Sequence, residues 1–272
     1  MDPLRHVKPA VRQIRAYTLA AREAPVKINQ NENPWDLPEA VKRRVLDKAL
    51  VRPWARYPDF DPRELTEALA GFSGWSADGI LAGNGSNELI EALLLVTVGP
   101  GTRVVIPEPT FTLYALLTGI LGGEAIRVPL AEDLRYDAAA LVEARQTSEA
   151  AVTIVCSPNN PTGTSLARHD LERLCQAGDG LVVVDEAYHE FSGETAVPLL
   201  EKHPNLVVLR TFSKAMALAG LRVGYLLSSP EIVREVNKAR LPYNVNFFTQ
   251  DAAIVALEEH AVLEDMVRRL VE

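Results

Sequence analysis

The chain has 272 residues, 47% of them apolar and 24% charged, and a formal net charge of -8. That balance fits a globular protein with one large core or two modest ones, and argues against a nucleic-acid footprint or a polybasic membrane patch. No apolar run approaches the ~18 residues needed to span a bilayer, the N-terminus lacks a signal-peptide core, and Cys156 and Cys175 offer neither a disulfide framework nor metal-ligand spacing, so a cytoplasmic protein without a metal is expected.

A polar arm occupies residues 1–30 and an Asn/Pro loop residues 31–38, followed by helical apolar spacing near 39–50 and 62–71. From about residue 79, short β-branched runs alternate with amphipathic stretches. The predicted strands are Ile80–Leu81, Arg103–Ile106, Ala125–Val128, Val152–Cys156, Leu181–Val184, Leu206–Leu209 and Val223–Leu227. Between them lie predicted helices at 87–97, 110–121, 137–146, 167–177 and 230–240. This rhythm predicts an α/β fold, a mostly parallel seven-stranded sheet between helices on both faces. The runs 181–184 and 206–209 are apolar without alternation, as strands covered on both faces are. A last helical pattern starts near Phe247 and continues to the end of the chain with no Gly, Asn or Pro stop. It reads as one long helix that leaves Leu263, Met266, Val267 and Leu270 bare.

In such sheets ligands sit beyond the carboxyl ends of the strands, and the reactive residues collect there. The run ending at Cys156 delivers Ser157-Pro-Asn-Asn160-Pro-Thr-Gly163, and the run 181–184 delivers Asp185-Glu-Ala-Tyr188. The run 206–209 delivers Arg210-Thr-Phe-Ser-Lys214, and Arg222 opens the last run. A lysine in a polar turn is ordinarily a solvated charge, but after a buried strand an ammonium is costly. Desolvation lowers its pKa, and a neutral amine attacks aldehydes. Asp185 could be a turn residue, yet a carboxylate on the floor of a doubly covered sheet needs a cationic partner. Taken singly, Tyr188 reads as a core tyrosine and Asn160 as turn chemistry. Gly83-Asn-Gly-Ser-Asn-Glu88 reads as a glycine turn opening a helix, with the N–H groups of Ser86 and Asn87 free at the positive end of its dipole. A Gly-x-Gly fragment alone marks an ordinary capped helix equally well. Arg222, with the hydroxyls of Thr211 and Ser213, adds charge-assisted donors for the same anion. Together these groups are suited to holding a phosphorylated pyridine aldehyde and running Schiff-base chemistry on it.

In this order the residues resemble the aspartate-aminotransferase superfamily, the fold type I enzymes of pyridoxal phosphate (PLP). Asn31-Glu-Asn-Pro34, Arg56-Tyr-Pro-Asp59 and Gly83-Asn-Gly-Ser-Asn-Glu-Leu89 bring the resemblance nearest to its histidinol-phosphate aminotransferase family. It runs from about residue 25 to the C-terminus. The resemblance implies PLP bonded to Lys214, which also moves a proton between substrate Cα and the cofactor's C4′. It implies Asp185 on the pyridine nitrogen, with Tyr188 and Asn160 on the 3′ oxygen. Phe111 matches the aromatic stacked on the ring, where the family often has Tyr, and Ser86, Asn87, Thr211 (commonly Ser), Ser213 and Arg222 match the phosphate site. Tyr57 matches a tyrosine passed to the neighbouring subunit's phosphate, which implies a homodimer with shared sites. Asn160, Tyr17 and Asn31 fall where the family covers the substrate.

The implied reaction carries the amino group of L-histidinol phosphate to 2-oxoglutarate in histidine biosynthesis. An aromatic or broad-range amino acid aminotransferase, a threonine-phosphate decarboxylase and a non-catalytic binding module are the alternatives. The implied domains are 1–35, an arm contributing to a small domain; 36–246, the large PLP-binding domain; and 247–272, the start of a long helix into a truncated small domain. Family members run longer, and their C-terminal part supplies the arginine that grips the substrate carboxylate. Arg268 and Arg269 do not match its spacing, so the chain is expected to be an incomplete piece. The five histidines read as solvated, and Glu186 and Glu190 as structural.

Overall fold

The computed structural model describes residues 2–16, 18 and 25–272. Tyr17 lies outside the described residues. The strands are β1 (Ile80–Gly83), β2 (Arg103–Glu108), β3 (Glu124–Pro129), β4 (Val152–Cys156), β5 (Leu181–Asp185), β6 (Leu206–Thr211) and β7 (Gly224–Leu227). They form one sheet in the order β1-β7-β6-β5-β4-β2-β3. Only β7 runs against its neighbours, pairing antiparallel with β6 and β1. The other pairings are parallel.

The helices are α1 (Pro9–Gln13), α2 (Glu39–Leu50), α3 (Arg63–Ser73), α4 (Ser86–Thr97), α5 (Leu113–Leu121), α6 (Ala138–Thr147), α7 (Arg168–Gln176), α8 (His189–Ser192), α9 (Pro230–Asn237), α10 (Phe247–Glu258) and α11 (His260–Val271). Two cores flank the sheet, because successive strand residues point to opposite faces. Val182, Val184 and Val208 join Val45 of α2, Leu65 of α3, Leu171 of α7 and Ala252–Leu257 of α10 on one face. Val183, Val207 and Leu209 join Leu89 and Leu93 of α4, Tyr114 of α5 and Val236 of α9 on the other. Each fully buried Leu or Val side chain contributes roughly 1.5–3 kcal/mol, and the one polar residue inside β4, buried Thr153, is partnered by Arg145 at 3.0 Å.

The C-terminal pattern differs from the single exposed helix predicted for it. Asn246 caps α10 by accepting the Thr249 N–H at 2.9 Å. Within α10, buried Asp251 takes Arg52 at 2.7 and 3.3 Å, which ties the helix to the residues after α2. The chain then bends at Glu259 (φ -101°, ψ 23°), and α11 turns back towards α8. Leu263 and Met266 are therefore buried in the core and Val267 and Leu270 half-buried; only Val271 of that stripe is exposed. The stripe has found a surface inside the chain. Two histidines expected in solvent are also covered, His203 being buried and His189 largely so.

Candidate active site

The carboxyl ends of β4, β5 and β6 and the start of α4 meet at one edge of the sheet. The last residue of β5, Asp185, is 3% exposed. Its Oδ2 accepts the phenol of Tyr114 at 2.7 Å and its Oδ1 accepts the Ala187 N–H at 3.0 Å. Both donors are neutral. Burial pushes the Asp185 carboxyl up, while these donors and the more distant Lys214 pull it back. A buried carboxylate in this condition is short of a cation.

Lys214 lies beyond the end of β6, and its Nζ donates to the Gln30 carbonyl at 2.7 Å while standing 5.8 Å from the centre of the Tyr188 ring. Burial first, and then the Arg222 guanidinium, hold its amine below the ordinary lysine range. Asn31, at a left-handed φ of 51°, donates its side-chain amide to Tyr188 Oη at 3.1 Å. The end of the arm thus touches the amine and the first residue of the loop the phenol. Asn33 adds a bond from its amide to the Ala215 carbonyl at 3.3 Å.

The anion-binding half is built around glycine. Gly85, at φ 80°, precedes the first residue of α4, buried Ser86, with exposed Asn87 beside it. A Cβ on Gly85 would come within 2.3 Å of Arg222 Nη2, and one on Gly224 within 2.5 Å of the Ser86 nitrogen. Gly85 is required by its left-handed φ and Gly224 by close approach to backbone, and what they make room for is a helix start facing a guanidinium. Arg222 itself has φ 59°, a strained backbone for a side chain of this size, and donates to Ser213 Oγ at 3.2 Å and the Ala219 carbonyl at 3.1 Å. Thr211 donates to Ser213 Oγ at 3.0 Å, so the two hydroxyls and the guanidinium form one cluster. Glu88 closes the turn from below, accepting the Asn84 N–H at 2.5 Å and the Asn244 amide at 2.7 Å.

Phe111 precedes α5 and meets Tyr114 edge to face, with ring centres 5.5 Å apart. Asn160 follows β4 half-buried. Its neighbour Asn159 is the one locked in place, by Thr110 at 2.6 Å, Pro109 at 3.0 Å and Thr162 at 2.9 Å. Tyr57 stands apart, 80% exposed and stacked 4.5 Å from Tyr243. The other predicted site residues among those described lie towards this one sheet edge, with Tyr57 on an outer ledge.

Two features escaped the sequence. Tyr114 is not among the residues singled out there, although it stands three residues beyond Phe111, and the structure brings the two rings edge to face. Behind Asp185, Glu186 points through the sheet to a buried pair with Arg210 at 2.9 Å, supported by Thr195 at 3.0 Å and by the Ala196 N–H. A strand residue one place further along must face the other core, which is the signal that was available.

A buried acceptor lacking a cation, an amine made nucleophilic by burial, an aromatic beside the acceptor and a glycine-lined anion cradle together fit a phosphorylated pyridine aldehyde. The class I and II aminotransferase family matches residues 23–272, and the chain belongs to that family. It is 41% identical over 268 residues to the histidinol-phosphate aminotransferase of Chlorobium phaeovibrioides, a match covering 98% of this chain and 74% of that protein. The histidinol-phosphate aminotransferase of Chlorobaculum tepidum is 39% identical over 264 residues, covering 96% and 76%. Among solved structures, the histidinol-phosphate aminotransferase of Sinorhizobium meliloti in complex with pyridoxal-5'-phosphate superposes with a TM-score of 0.89 at 27% identity, covering 98% of this chain and 74% of that one. The chain spans about three quarters of the length of these relatives. Among the described residues no helix is long and apolar enough to cross a membrane.

Proposed function

We propose that this protein is a PLP-dependent aminotransferase that passes the amino group of L-histidinol phosphate to 2-oxoglutarate, a step of histidine biosynthesis in the cytoplasm. The likeness to the Chlorobium and Chlorobaculum relatives supports the donor. The observation that carries the cofactor reading is the meeting of Asp185, Lys214 and the Gly85–Ser86 helix start opposite Arg222 at one sheet edge. When bound, PLP supplies an aldehyde that condenses with amines and a ring that takes up the electron pair left when substrate Cα loses its proton.

The chain's own residues do the rest. Lys214, its amine held below the ordinary range by burial, would take the cofactor's aldehyde and would serve as general base for the substrate Cα proton. Asp185 would hold the pyridine nitrogen protonated, which would compensate its own buried charge. Tyr188 and Asn160 would donate to the 3′ oxygen, with Asn31, bonded to Tyr188, on the substrate side. The N–H groups of Ser86 and Asn87, the hydroxyls of Thr211 and Ser213 and the Arg222 guanidinium hold the phosphate, while Phe111 covers a ring face.

In this reading residues 1–35 are an arm over the site, 36–246 the cofactor-binding domain, and 247–272 the helices that lead to a second domain. A homodimer completes the site. Exposed Tyr57, Trp54, Phe60 and Tyr243 make an aromatic ledge that suits a second copy bringing its own Tyr57 to the phosphate. A monomer at micromolar concentration by sedimentation would refute that assembly.

Single-turnover absorbance of the PLP-loaded protein tests the reaction. Histidinol phosphate is expected to bleach the visible band faster than phenylalanine does, and 2-oxoglutarate to restore it with release of glutamate. Faster bleaching by phenylalanine, or CO2 released from threonine phosphate, would replace the proposed reaction. No visible band at all would leave a binding module.

A further inference from the structure

We propose that Tyr114 is a positioning residue of this site, its buried phenol holding Asp185 as an oriented carboxylate acceptor; the cofactor half of this proposal rests on the function proposed above. Tyr114 is fully buried in the first turn of α5, and its hydroxyl lies 2.7 Å from Asp185 Oδ2. The Ala187 N–H fixes the other oxygen at 3.0 Å. With one donor on each oxygen the carboxylate plane cannot rotate, so the remaining lone pairs point in set directions. A phenol in this place is a permanent donor, since burial keeps its proton on. It stabilises the ionised form of Asp185 without bringing a positive charge that would compete for the carboxylate. Phe111, three residues earlier and just before α5, packs against the same ring edge to face, so one short stretch of chain sets both the ring-covering aromatic and the carboxylate's orientation. The other ionisable groups acting on Asp185 or Tyr114 are Glu186, Cys156, Lys214, Tyr136 and Tyr188. None of them donates to Oδ2 in the structure.

The test is made on Tyr114→Phe, which keeps the ring and removes only the donor. The cofactor-free protein is labelled with [γ-13C]aspartate, and Asp185 is assigned by its loss in Asp185→Asn. The Asp185 titration midpoint is expected to rise by roughly one to two pH units, a tenfold to hundredfold loss of acid strength, as for a lost hydrogen bond to a charged group. With 15N-labelled PLP bound, the ring-nitrogen resonance is expected to move towards its unprotonated value, and kcat to fall while KM stays. An unchanged midpoint and an unchanged ring nitrogen, whatever happens to stability, would reduce Tyr114 to a packing residue. Should the Phe variant fail to fold, 3,5-difluorotyrosine at position 114 offers a stronger donor of nearly the same shape. The Asp185 midpoint then falls if the phenol donates; a rise or no change overturns the proposal. A shifted midpoint in a protein that never takes up PLP would keep Tyr114's hold on Asp185 and refute the cofactor reading instead.

Discussion

Asp185 and Glu186 are neighbours in sequence and opposites in circumstance. Glu186 faces one core and has all that a buried carboxylate needs: a guanidinium at 2.9 Å, a hydroxyl and a backbone N–H. Asp185 faces the other core and has two neutral donors and no cation in contact. The first is a finished structural pair, and the second is a charge awaiting one from outside. Completed polar groups hold a fold together, whereas incomplete ones, kept buried at a cost, point to a ligand.

Experiments can break this contrast on either side. The largest expected effect is at Lys214. Lys214→Ala should abolish the visible band and leave no borohydride-fixed cofactor on the peptide containing residue 214, as read by absorbance and peptide mass. Next, Asp185→Asn should still bind PLP, but its half-reaction should slow by roughly 10²-fold or more, since a neutral amide cannot keep the ring nitrogen protonated. Near-wild-type single-turnover rates would remove Asp185 from the mechanism. On the other face, Glu186→Gln leaves Arg210 buried and unpaired. It should cost about 3 kcal/mol in urea unfolding while the rate per folded molecule is kept. If that rate collapses with stability intact, the two faces are not separate.

The smallest effect concerns Glu190, whose carboxyl burial raises from 4.5 to about 7. The folded protein holds this proton more tightly than the unfolded chain. The associated stability is therefore present below pH 4.5 and is lost as pH rises towards 7. Glu190→Gln should match the parent near pH 4 and exceed it at pH 8 by on the order of 2–3 kcal/mol in urea unfolding. His189 pulls the other way: burial lowers it from 6.5 to about 3, so the stability tied to its neutral form is full above pH 6.5 and is lost as pH falls towards 3. A flat difference between parent and variant from pH 4 to 8 would mean that Glu190 is hydrated.

The strands and most helices were legible because their causes are local. Runs such as Leu181–Val184 are too apolar to be anything but buried, and a reactive residue just after such a run stands at a sheet edge. What escaped depends on distant parts of the chain. Tyr114 meets Asp185 across 71 residues, so its role follows from how α5 packs on β2 and β3. The bend at Glu259 carries no glycine or proline, and it follows from α11 finding a surface on α8. His189 reads as a surface residue until the cluster behind the sheet encloses it. The exposed-stripe expectation failed for the same reason: a helix pattern shows which face is apolar, and only packing says what covers it.

The single reversed strand has a consequence for the order of assembly. Because Thr211 pairs with Gly224, the lysine, two hydroxyls and the arginine belong to one short connection closed by a local antiparallel ladder. Closing so short a loop costs little entropy, whereas Asp185 joins through the parallel crossover from β5 to β6 and Ser86 only through the pairing of β1 with β7, far apart in sequence. During folding the amine and the guanidinium should therefore adopt their mutual arrangement first, with the carboxylate and the helix start arriving later. The phosphate end of a ligand would then meet a partly formed grip in an unfinished chain.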